Sequence, residues 1–259
     1  MDIAWADPET NRRHAAEVIA RLPHDVELIV LPEMFSTGFA TQPQGIAEPA
    51  LSPTLLWMQA IANERQCAMA GSIAVQADEQ TFVNRFYFVK PGGQASRSDA
   101  PASSITHYDK HHLFTYGGED KQFTAGRERV VVEYRGVRIR LAVCYDLRFP
   151  AWCRNRDDYD LLLVVASWPT PRADAWSTLL KARSIENQCF VAGVNRVGDD
   201  PSCNYNGCSV IHDAYGRTLA ACQTGQECAA TAEIDMEKLK AFRAKFPVLR
   251  DADDFRIEL

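Results

Sequence analysis

An α/β fold with two sheets packed together and helices outside is the architecture this chain predicts. Strand-like and helical runs alternate along it, with no repeat or low-complexity tract between them. The run Val26-Glu27-Leu28-Ile29-Val30-Leu31 reads as a buried strand of the kind found in layered α/β folds. A length of 259 residues suits one such domain, spanning 1–259. A domain of that size buries roughly 70–75% of its unfolded surface and needs no disulfides to hold it.

In chain order, apolar residues at three- and four-residue spacing predict a helix over 11–21, followed by a strand over 27–31. A helix over 54–65 precedes strands at 67–75 and 85–89, and the polar stretch 92–106, rich in Ser and Ala, reads as a loop. Strands at 130–134 and 137–143 are joined by Tyr134-Arg135-Gly136-Val137, a hairpin turn that delivers the second strand directly to Cys144. A strand at 161–166, a helix at 174–188, strands at 190–194, 208–212 and 231–234, and a helix at 236–245 complete the pattern.

The formal net charge is -6 and there is no basic stripe, which argues against nucleic acid as a partner. No apolar run approaches a membrane span and no basic-then-apolar leader opens the chain, so a cytoplasmic protein is expected. The eight cysteines include no Cys-x-x-Cys pair. Cys203 and Cys208, with His212 following, are the close pair nearest to a metal-like spacing, and reduced, mostly structural thiols fit the composition better.

Chemistry concentrates at three places. The strand ending at Val143-Cys144 stops abruptly, and Tyr145-Asp146-Leu147-Arg148-Phe149-Pro150 looks like the start of a helix, with proline at an early position where its missing N–H costs little. A thiol on such a corner has backbone N–H groups and a helix N-terminus beside it, both favouring a thiolate and a developing oxyanion. Taken alone, Cys144 reads first as a small buried core residue, and the two other sites shift that balance. Glu33 closes a buried strand at its carboxyl end, where α/β folds gather functional groups, and its apolar neighbours would partly desolvate it into a working general base. Lys110 stands in Tyr108-Asp109-Lys110-His111-His112-Leu113-Phe114, a composition that is otherwise a surface loop. Base, cation and thiol together are what amide hydrolysis through a thioester needs.

The segments Leu31-Pro32-Glu33-Met34-Phe35, Tyr108 to Phe114 and Val143 to Pro150 resemble, in the same order, the Glu–Lys–Cys motifs of the nitrilase (carbon–nitrogen hydrolase) superfamily. The resemblance runs on through Ala166-Ser167-Trp168-Pro169, Lys181 to Gln188 and Val194 to Gly198, and covers nearly the whole chain. Its details are similar to bacterial omega-amidases. The resemblance implies an αββα sandwich and a homodimer formed through helices after the cysteine and around 183–188. Family members open with a full strand before the Asp2-Ile3-Ala4-Trp5 segment, so either the first strand is cut short here or the start codon lies upstream.

On that resemblance the substrate is the terminal amide of a small carboxylic acid, with no cofactor and no metal. Cys144 attacks, Glu33 shuttles the proton, and Lys110 with the Tyr145 N–H stabilises the oxyanion. Glu119 corresponds to a second glutamate of the resembling enzymes, with Asp120 the alternative. Arg148 suits a bidentate grip on the far carboxylate of the substrate, or a salt bridge with Asp146 that buttresses the corner. Phe114 and Trp168 wall the pocket or belong to the core. His111 and His112 orient the lysine loop or face solvent. Rival expectations are an N-carbamoyl or aliphatic amidase, a true nitrilase (which carries Trp where this chain has Tyr145), a non-catalytic binding protein on the same fold, and a zinc protein.

Overall fold

Asp7 starts the first helix: its carboxylate accepts from the Thr10 amide at 3.1 Å and Pro8 occupies the first turn, so α1 runs Pro8–Ala20, earlier than apolar spacing alone predicts. The computed structural model describes residues 1–92 and 104–258. The first sheet is built from β1 (Leu28–Val30), β3 (Ala68–Gln76), β4 (Phe82–Val89) and β5 (Ile105–Asp109) in that order, with β2 (Glu48–Pro49) also on β3. Strand β1 is parallel to β3, and β4 runs antiparallel to both β3 and β5. Helix α2 (Pro53–Arg65) is capped by the Ser52 hydroxyl and lies with α1 on the outer face.

The second sheet has the order β13 (Thr218–Ala221), β12 (Val210–His212), β9 (Phe190–Asn195), β8 (Leu161–Ala166), β7 (Val137–Val143), β6 (Val131–Tyr134). Its centre, β7–β8–β9, is parallel, which is why those strands read as continuous apolar runs. The β6–β7 hairpin turns through Arg135 and Gly136 at φ 49° and 77°, the left-handed pair that a two-residue turn requires. Helix α4 (Ala173–Glu186) covers the outer face through Trp176 and Leu180. The short α3 (Pro150–Cys153), the hairpin β10 (Val197–Asp199) and β11 (Asn204–Asn206), and α5 (Met236–Lys245) complete the chain.

Between the sheets, Ala70, Phe86, Phe88 and Tyr108 meet Leu141, Val143, Leu163 and Val165, all at 1% exposure or less. Each large apolar side chain so buried contributes about 1.5–3 kcal/mol. The layers are therefore helix, sheet, sheet, helix, as predicted. Three expectations change. Residues 231–234 form no strand, because the second sheet ends at β13. The expected loop 92–106 gives way to β5 from Ile105, and its residues 93–103 lie outside the described residues. Cys222 is bonded to Cys228 across a six-residue separation in an exposed loop, against the expectation of reduced thiols, and the other six cysteines are free. At the N-terminus, Asp2 makes a single parallel bridge to Val197.

Candidate active site

The two sheets present the carboxyl ends of β1, β7 and β8 together. Beyond β1, Glu33 is fully buried and accepts three hydrogen bonds: from Asn84 Nδ2 at 2.8 Å and Lys110 Nζ at 3.0 Å on Oε1, and from the Ser167 amide at 2.8 Å on Oε2. Asn84 projects from β4, Lys110 follows β5 directly, and Ser167 follows β8. Lys110 is also fully buried, and its ammonium donates to Glu119 Oε2 at 2.8 Å. Asn84 bridges the two acids with a second bond to Glu119 Oε1 at 3.2 Å, and the Phe114 amide donates to Glu119 at 2.6 Å. Of the two acids left open by the sequence, Glu119 is the buried one that meets the lysine and Asp120 is exposed.

Two carboxylates around one cation in a dry site set the electrostatics. Burial opposes the Lys110 ammonium, but the charges of Glu119 and Glu33 outweigh it and hold the lysine protonated above its ordinary range. Burial, with the charge of Glu33 added, pushes the Glu119 carboxyl up against the pull of Lys110.

Cys144 takes the corner after β7 with φ 45°, a left-handed backbone that non-glycine residues rarely adopt and that recurs at functional turns. Burial and then the Glu33 charge raise the thiol well above its usual range, with Lys110 acting the other way. The corner itself is short: Cys144–Arg148 is a 3₁₀ turn and α3 has only four residues. The corner is held by Asp146, which accepts from the Val143 amide at 2.9 Å, Tyr108 hydroxyl at 2.6 Å, His112 amide at 3.0 Å and His112 ring at 2.9 Å. His112 stacks on Phe149 with ring centres 3.6 Å apart, while the His111 ring bonds the Gly126 carbonyl at 2.6 Å. Both histidines thus fasten the lysine loop.

A pocket of about 560 Å³ opens above Cys144, within the range of small-molecule sites. Tyr145, Phe114, Trp168 and Arg148 all line it, and Phe114 meets Tyr145 edge-on at 5.2 Å. Arg148 lies over the Trp168 ring at 4.8 Å and makes no salt bridge with Asp146, whose oxygens are taken by Tyr108, His112 and Val143. Sequence reasoning missed Asn84, Ser167 and Arg172. Asn84 left a signal, a polar residue inside the apolar run Phe82-Val83-Asn84-Arg85-Phe86, which a buried strand tolerates only with partners. Ser167 meets Glu33 through its backbone amide and donates its hydroxyl to the Glu33 carbonyl at 3.3 Å, and its segment is marked in the sequence by resemblance alone. Among the described residues, no three His, Cys, Asp or Glu side chains converge in a metal-binding group, and no helix is long and apolar enough to cross a membrane.

A buried acid–ammonium–acid set facing a thiol at a pocket floor, on this sandwich, is the arrangement of enzymes that cleave carbon–nitrogen bonds. The carbon–nitrogen hydrolase family model matches residues 1–244. The chain is 45% identical over 256 residues to the omega-amidase YafV of Yersinia enterocolitica, covering 98% of this chain and 94% of that protein. It is 34% identical to the 2-oxoglutaramate amidase of Bacillus subtilis, over 100% and 96% of the two chains. The crystal structure of XC1258 from Xanthomonas campestris, a CN-hydrolase superfamily protein with an arsenic adduct in its active site, superposes with a TM-score of 0.90 at 39% identity, over 99% and 96%. The chain belongs to the carbon–nitrogen hydrolase family.

Proposed function

We propose that this protein is an omega-amidase, hydrolysing the terminal amide of 2-oxo dicarboxylic acid monoamides such as 2-oxoglutaramate. The reading is carried by the buried Glu33–Lys110–Glu119 set beside Cys144, in a pocket that carries guanidinium groups. The relatives' names support the substrate class. In this reading Cys144 attacks the amide carbon while its proton passes to Glu33. A thiol that keeps its proton at rest fits that concerted transfer. The oxyanion is met by the Lys110 ammonium and the Tyr145 N–H. Glu33 returns the proton to the departing ammonia, leaving a thioester. Water deprotonated by Glu33 then adds to the thioester carbon, the C–S bond breaks, and the acid leaves as the thiol is reprotonated. Glu119 keeps Lys110 in place, and Arg148 pairs with the far carboxylate.

Asp200 faces the same pocket. It is the one acidic side chain among the described residues lining the pocket, and its oxygens are already bonded to the Ser202 and Cys203 amides and the Tyr205 hydroxyl. The chain is further proposed to act as one domain over 1–259, in the cytoplasm, where its six free cysteines would stay reduced. It is proposed to pair as a homodimer through the α4 side, where Ile185 and Tyr215 are about half exposed. Ammonia release from 2-oxoglutaramate, run beside Cys144→Ala, tests the function. Turnover by the wild type and none by the variant is expected, and a folded wild type without turnover would sink the assignment.

A further inference from the structure

Resting on the omega-amidase reading, we propose that Arg172 is a second specificity-determining residue, sharing the 2-oxo acid end of the substrate with Arg148. Both side chains line the pocket above Cys144. Each lies against an aromatic wall: Arg148 at 4.8 Å over Trp168, Arg172 at 5.3 Å over Phe114. The two positions are tied together, because the Trp168 ring nitrogen donates to the Arg172 carbonyl at 2.7 Å. Arg172 is fixed from the other side by the turn Thr170–Arg172 that leads into α4.

Neither guanidinium has a carboxylate within ion-pair distance among the described residues, whereas Arg85, Arg129, Arg138 and Arg243 all pair with aspartates. Two half-buried cations thus face one pocket whose single acid among the described residues, Asp200, is held by the Ser202 and Cys203 amides and the Tyr205 hydroxyl and pairs with neither. Stacking on the rings orients them without using their N–H groups.

The ligand chemistry follows from counting acceptors. A guanidinium fork meets two oxygens side by side, which one carboxylate satisfies. A 2-oxo acid presents a third acceptor, the ketone oxygen, next to that carboxylate. Arg148 alone leaves it without a partner; a second fork supplies one. The pocket then prefers an acid with an adjacent ketone over the same acid without it.

The test compares three amides: 2-oxoglutaramate, glutaric acid monoamide, which lacks only the ketone, and the neutral butanamide. Each is measured with the wild type, Arg172→Gln and Arg172→Lys. In Arg172→Gln the kcat/KM ratio of 2-oxoglutaramate to butanamide should fall about ten- to a hundredfold, mainly through KM, as expected for a lost charge-assisted hydrogen bond. The preference for 2-oxoglutaramate over glutaric acid monoamide should shrink with it, and Arg172→Lys should recover part of both. An equal loss on all three amides, or a ketone preference untouched by Arg172→Gln, would overturn the proposal. A wild type active on butanamide but not on 2-oxoglutaramate would instead overturn the omega-amidase reading beneath it.

Discussion

Asn84→Ala removes the amide that holds both acids of the site and nothing else of its size. Asn84 Nδ2 donates to Glu33 at 2.8 Å and to Glu119 at 3.2 Å, while its Oδ1 has no partner, so no acceptor contact is lost with it. A hydrogen bond to a charged group contributes about 1.5 kcal/mol at the low end, so losing two costs ~3 kcal/mol. Unfolding entropy near 2.1 cal/mol/K per residue means that 259 residues lose about 2 °C of Tm per kcal/mol. The variant should therefore melt about 6 °C below the wild type in scanning calorimetry. Activity should suffer more than stability. Asn84 does not line the pocket, so KM should stay within about twofold while kcat falls on the order of a hundredfold, the cost of a base displaced by about 1 Å. A variant with wild-type kcat and an unmoved Tm would refute the claim that this amide spaces the two acids.

Two further outcomes follow from the loops around the site. Gly126 bonds the Lys110 carbonyl through its N–H at 2.9 Å, and a Cβ there would run into the Asp109 carbonyl, so Gly126→Ala should displace the lysine loop. It should lower kcat by at least about tenfold in an amidase assay, and full activity would show the loop to be more compliant than drawn. For Asp146, burial works against ionisation but the bonds from His112, Tyr108 and the Val143 amide outweigh it, holding the carboxyl below its ordinary 3.8. Its stabilisation is therefore complete above that value and is lost as pH falls through the lower folded-state value. Asp146→Asn should melt below the wild type at pH 7, with the gap narrowing as the pH falls below 3.8. A gap that stays constant with pH would rule this linkage out.

The layers and two of the site's groups, Glu33 and Cys144, were legible from residue patterns, because each follows a continuous apolar strand. Glu33 and Cys144 close β1 and β7, and buried parallel strands advertise themselves as unbroken apolar runs. Lys110 was marked by its unusual neighbours, and Glu119 only by resemblance, since a short acidic turn looks the same whether buried or exposed. What stayed hidden depended on distance in sequence. Asn84 meets Glu33 across 51 positions and Ser167 meets it across 134, through a backbone amide that no side-chain pattern encodes. The charge of Glu33, which with burial raises the Cys144 thiol, arrives from the other sheet, so no pattern around the cysteine carries it. The strand over 231–234 failed because apolar residues alone do not supply a neighbour to pair with.

In the proposed mechanism the nucleophile and the base come from opposite halves of the sandwich. Glu33, Asn84 and Lys110 ride on the first sheet, Cys144 and Ser167 on the second, and the Ser167 amide to Glu33 is a bond that crosses the seam at the site. Sulfur-to-carboxylate spacing is therefore set by the thickness of the interior layer, by how Phe86 and Phe88 seat against Leu141 and Leu163. Catalytic output becomes a ruler laid across the core. Loss of packing between the sheets, from heat, denaturant or a cavity far from the pocket, would be read as falling turnover while each sheet still holds its own hydrogen bonds.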